Sequence, residues 1–193
     1  MKTPSIILQE PLYDFFGFNS DGIAEFTFSD AVKIAGHACP TVAGAFLMTY
    51  QGLKALYGDE TPVRGNIELL YSKSESEGVT GVIATVMGSI VGASGVGGFK
   101  GLGGQFARNN RVHFNQKISS NVAMRRIDTN KIVNIDYHPE IVSGDPRTSS
   151  LLSKILSEQA TENDKGEFQR CWNQRLEKIL ALGSQKSELI KIS

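Results

Sequence analysis

The sequence predicts an α+β fold, an antiparallel sheet with packed helices, and three observations carry that expectation. Residues 41–57 and 167–182 repeat apolar side chains at helical spacing. Three strand candidates, RVHFNQK, NVAMRRI and KIVNIDY, follow one another with the turn-prone SSN and DTN between them. The signals also come in blocks: helices, one strand, a helix, a run of strands, then helices. That order speaks against alternating βαβ units.

Taken in order, the segment to about residue 28 reads as irregular, punctuated by Pro4, Pro11, Gly17 and Gly22 and interleaved with Phe15, Phe16, Phe18, Phe26 and Phe28. Such a phenylalanine cluster packs against a core or a second protomer. Ser29-Asp30 opens a short helix that Gly36 closes. In the next helix Val42, Phe46, Tyr50, Leu53 and Tyr57 share a face, and Gly58 stands at its C-terminus. NIELLYS (66–72) alternates as a strand. Residues 77–91 form a small-residue helix, because Val79, Ile83, Val86 and Ile90 repeat at steps of three and four. A glycine-rich loop (92–104) precedes the three strand candidates. Asp145-Pro146 then opens a helix to about Ser157, TENDKG is a polar linker, and EFQRCWNQRLEKILAL is amphipathic, with Phe168, Trp172, Leu176, Ile179 and Leu180 on one stripe. The domain reading is a core over 1–145, including the irregular start, and a C-terminal helical extension over 146–193.

Composition narrows the function. The 193 residues hold twenty basic and twenty acidic side chains, and the basic ones are scattered, so no global field draws nucleic acid or an anionic membrane. The start has no basic n-region followed by a long apolar run, and the most apolar stretch is too rich in Gly and Ser for a span. Two cysteines do not make a disulfide framework. The expectation is a cytoplasmic protein with free thiols and neither nucleic acid nor membrane as partner.

The chemistry concentrates in GHACPT, residues 36–41. Pro40 suits the first position of a helix, which makes Cys39 its N-cap. A thiol there faces unpaired N–H groups and the positive end of the helix dipole, and both favour the thiolate. His37, two residues earlier on an extended loop, points to the same side. Thiolate and imidazole together suit a transition metal, and they equally make a nucleophile–base pair. The plain structural alternative is a buried cysteine capping a helix beside a hydrogen-bonded histidine.

Other residues carry less. The glycine-rich loop has eight glycines from Gly88 to Gly104, yet it fits neither a phosphate-binding P-loop nor a dinucleotide fingerprint. Gly97, Gly98, Lys100 and Gly101 are the candidates there for a small anionic ligand, set against a tightly packed loop with none. His113 is a candidate third metal ligand or an ordinary strand residue. Asp30 is a candidate ligand whose default role is helix capping. His138 sits in a turn, and Cys171 lies on the apolar stripe of the last helix, where burial is its reading.

Gly36-His37-Ala38-Cys39-Pro40, with Gly44 as the glycine of the following helix, resembles the GHxCP signature of the FmdE-like family, which takes its name from formylmethanofuran dehydrogenase. The order strand, helix, glycine-rich loop, strands over about 25–140 is similar too. The resemblance implies an α+β core, an intertwined homodimer, and a divalent transition metal near His37 and Cys39: zinc first, iron or nickel as alternatives. Many members carry further cysteines before the second helix and in the glycine-rich loop. Here those regions, YSKSESEG and GASGVGGFKG, have none, and two cysteines alone cannot hold an iron–sulfur cluster. The pair His37 and Cys39 is what carries over.

Overall fold

The computed structural model describes residues 3–185 and 188–193. Strands β1 (Ile6–Gln9) and β2 (Ile23–Phe26) pair antiparallel across the short helix α1 (Pro11–Phe16). The segment expected to be irregular is therefore a small sheet with Ile6, Leu8 and Ala24 buried. Four-residue strands offer too few alternations to register as a period. Helices α2 (Phe28–Ala35) and α3 (Pro40–Tyr57) follow, then β3 (Ile67–Tyr71) and α4 (Thr80–Val91). Strands β4 (Val112–His113), β5 (Val122–Arg126) and β6 (Ile132–Tyr137) come next. The chain finishes with α5 (Thr148–Leu156), α6 (Glu162–Gly183) and β7 (Ile190–Ile192).

The main sheet has the order β4-β3-β5-β6-β7. The fold is α+β, with one departure from an all-antiparallel sheet: β4 lies parallel to β3, with Leu69 opposite Val112 and Leu70 opposite His113. The chain leaves β3, crosses through α4 and the glycine-rich loop, and returns to β3's free edge, the kind of crossover a parallel pair requires. Of the three consecutive strand candidates only β5 and β6 form a hairpin, Val122 opposite Ile135. Two further differences lie at the C-terminus. TENDKG is no linker: from Glu162 it is the first turns of α6, capped by Thr161 and Asp164 in a reciprocal box. The chain's last residues add β7 to the sheet beside β6.

α3 is buried nearly all round, because the sheet covers one side while α4 and α6 cover others. Phe46, Leu47 and Met48 are fully buried on it, each contributing about 1.5–3 kcal/mol of transfer free energy. The sheet meets them with Ile67, Leu69, Tyr71, Val122, Met124, Val133 and Ile135, alternate residues of successive strands. Glu68, on the opposite face, is held by Arg111 and Arg125. Among the described residues, no helix is long and apolar enough to cross a membrane.

Candidate metal and thiol site

The site is the junction between two helices. α2 ends at Gly36, whose left-handed backbone (φ 79°) lets its N–H reach the Val32 carbonyl at 2.8 Å. A residue with a side chain is disfavoured there. The chain then runs extended through Cys39 (φ −149°, ψ 168°), and Pro40 starts α3. Cys39 is the N-cap, its Sγ accepting the Val42 N–H at 3.5 Å, and it is 8% exposed. His37 is exposed, and its Nδ1 lies 3.1 Å from the Ala35 carbonyl. A carbonyl can only accept, so Nδ1 is the donor, and in the neutral ring Nε2 keeps the lone pair.

Distant elements hold this junction in place. Trp172 of α6 donates its indole N–H to the Ala38 carbonyl at 2.9 Å. Tyr137, the last residue of β6, donates its hydroxyl to the Pro40 carbonyl at 2.8 Å. The Tyr137 ring lies against the Cα of Gly44, where a Cβ would collide with three ring atoms. Burial pushes the Tyr137 hydroxyl well above its ordinary pKa; Arg175 opposes this, while Cys39 and Glu140 add to it. Arg175 itself fastens the turn after β6, donating to the carbonyls of Val142 (2.9 Å) and Pro139 (3.2 Å).

The remaining candidates stand elsewhere. Asp30 caps α2: one carboxylate oxygen accepts from the backbone N–H and hydroxyl of Thr27, the other from Lys33 at 2.9 Å. The Lys33 ammonium, with Thr27, holds its pKa at about 2. His113 lies on β4, and β3 and β5 separate that strand from β6 and Tyr137. Among the described residues His113 and Cys39 do not belong to any group of three or more possible metal ligands. The His113 Nε2 is buried and without a partner among the described residues. Lys100 is exposed, and its loop folds on itself through Arg108 and Asn109 N–H groups bonded to the Phe99 carbonyl. Gly98 and Gly101 pack against backbone there, and Gly97 is exposed. The loop follows the C-terminal end of α4, while α2 packs near the N-terminal end of that helix, so Lys100 does not wall the His37–Cys39 junction.

An imidazole nitrogen with a free lone pair and a capping thiol fit a soft divalent ion in kind. In number they fall short: among the described residues no group of three or more His, Cys, Asp and Glu side chains is placed to hold a metal. Sequence reasoning missed Tyr137, Trp172 and Arg175. Tyr137 and Trp172 contact the junction from about 100 residues or more away, Arg175 holds the turn that follows Tyr137, and no local spacing signals any of them.

The chain matches no protein-family model and no curated protein by sequence.

Proposed function

We propose that this chain is a transition-metal-binding protein of the FmdE-like kind, with His37 Nε2 and Cys39 Sγ as metal ligands. The observation that carries the reading is the His37–Ala35 hydrogen bond. It fixes the imidazole tautomer through a backbone carbonyl and leaves Nε2 as donor, the arrangement typical of metal-ligating histidines. Thiolate plus imidazole favours zinc, with iron or nickel as alternatives. Two donors are half of a tetrahedral set, so water or a second copy of the chain supplies the rest, and a homodimer belongs to the proposal. A bound ion there would supply Lewis acidity beside the N-terminus of α3. The family reading rests on the GHACP motif, the helix glycine and the order of elements.

Metal analysis of purified protein tests this. The wild type should carry bound metal, and Cys39→Ser should lose most of it while remaining folded by circular dichroism. Equal metal in both proteins removes the ligand role. A second reading needs no ion: Cys39 stands at the N-terminus of α3 with its Sγ accepting the Val42 N–H. In that case Cys39 is a free nucleophile assisted by His37. Alkylation rates separate the two: a ligated Cys39 reacts only after chelation, a free activated one reacts at once.

A further inference from the structure

A cavity of about 330 Å³ opens where the N-terminal half of α3, the start of α4 and the ends of β3, β5 and β6 meet. Its inner wall is Met48, Tyr71 and Val122, all buried, with Ile83 and Val79 nearer the mouth. Thr41 and Tyr137 line it too, so it lies next to the Cys39 junction without including Cys39. The size is at the lower end for small-molecule sites. At the roughly 30 Å³ that one water occupies in the liquid, it admits a body of about ten non-hydrogen atoms.

The polar groups around the mouth are unequal. The Tyr137 hydroxyl is already donated to the Pro40 carbonyl, and that of Thr80 to the Glu77 carbonyl at 2.7 Å. The Asn121 side-chain oxygen accepts the Tyr137 N–H at 3.5 Å, which leaves its amide nitrogen as a donor. That nitrogen and the Thr41 hydroxyl make no hydrogen bond among the described residues. Lys73 meets Glu77 at 3.3 Å, but both side chains are more than half exposed, so the pair is weak and easily exchanged. Three groups thus remain to donate, Lys73, Asn121 and Thr41, against one acceptor, Glu77.

We propose that this cavity binds a small carboxylic acid with a compact apolar body. The apolar part fills the space between Met48, Tyr71, Ile83 and Val122. The carboxylate takes the place of Glu77 at Lys73 and accepts from Asn121 and Thr41. The site stands whether or not a metal binds at Cys39.

Isothermal titration calorimetry of the full chain with sodium benzoate and with sodium hexanoate tests it, with benzyl alcohol and benzylamine as controls. One of the two acids should bind saturably, with a dissociation constant of about 1 mM or tighter for a ligand of this size. Its amide chemical-shift changes should cluster at Thr41, Ile83 and Val122. Lys73→Gln should weaken binding about tenfold. Ile83→Trp, which fills the mouth, should abolish it, and Cys39→Ser should leave it unchanged. No saturation by either acid overturns the proposal. So does equal or tighter binding of the alcohol or the amine, or shift changes that map elsewhere. If Ile83→Trp does not fold, the exposed Lys73→Gln and the shift map decide between the same outcomes.

Discussion

Replacing Gly44 by alanine separates two opposite expectations by sign. Gly44 lies inside α3, and on helix propensity alone the substitution should stabilise by about 1 kcal/mol. The packing says otherwise. A Cβ at Gly44 would fall well inside contact distance of Cε1, Cδ1 and Cζ of Tyr137. The ring cannot simply slide away, because its hydroxyl is bonded to the Pro40 carbonyl at 2.8 Å. Overpacking of this kind costs about 1–3 kcal/mol. Losing the hydroxyl bond adds about 0.5–1.5 kcal/mol. Set against the propensity gain, the net is a destabilisation of about 2 kcal/mol. For a chain of this length that lowers the melting temperature by about 4–8 °C. Urea unfolding with an unchanged m-value measures it. Combining the change with Tyr137→Leu, which removes the clash, should recover the propensity gain and reveal strong coupling between the two positions. A Gly44→Ala protein as stable as the wild type or more so would refute the assignment of Tyr137 as the reason for a glycine here.

Two further perturbations follow. Glu10, 1% exposed, pairs with Arg64 and Arg108, each at 2.6 Å; Glu10→Ala leaves Arg108 buried and unpaired, and denaturant unfolding should register a loss of about 3–5 kcal/mol, whereas a loss below about 1 kcal/mol would remove the cluster from the stabilising contacts. Asp30 has its pKa lowered from 3.8 to about 2, so the unfolded state binds more protons through that window, and stability from its cap is complete above 3.8 and lost as pH falls toward 2. Comparing unfolding midpoints of wild type and Asp30→Asn between pH 6 and pH 2 (about two units either side of the carboxylate range) should show the difference shrinking with acid; a constant difference would contradict it.

What the sequence disclosed follows from how local each cause is. The limits of α3 were legible because Pro40 and Gly58 act on their own backbone, and so was the N-cap role of Cys39. Burial of Cys171 followed from its place on the stripe of α6. Of the RVHFNQK candidate only two residues form β4, too few to carry a pattern, and its partner β3 is chosen by a crossover through α4. The start of α6 was hidden by its charges. Glu162 and Asp164 look like linker residues, yet acidic side chains in a first turn complement the helix dipole, and Asp164 closes the cap of Thr161. The supports of the candidate site, Tyr137 and Trp172, were illegible for a different reason. Each makes a single contact to a carbonyl beside Cys39, and nothing in its own neighbourhood announces that partner.

The GHACP stretch can now be divided by what the backbone demands of each position. Gly36 is required by a left-handed turn, Pro40 starts α3, and Gly44 gives the Tyr137 ring its seat. None of these needs a ligand to explain it. Cys39 and His37 are different. The N-cap position is filled better by Ser, Asp or Asn, whose oxygens are stronger acceptors than a thiol at 3.5 Å from the Val42 nitrogen. Serine would cap better, but the thiol it replaces is buried in the core, so the sign of the change weighs cap against burial. His37 is exposed and bonds only the Ala35 carbonyl through its side chain, a contact that orients the ring without burying it. Fold stability therefore accounts for three of the five matched residues and, through burial in the core, for part of Cys39; exposed His37 is left unaccounted for. If Cys39→Ser proves more stable than the wild type while losing metal or thiol reactivity, the cysteine is held for chemistry at the expense of the cap. If it gains stability and loses neither, the junction is only a turn between two helices.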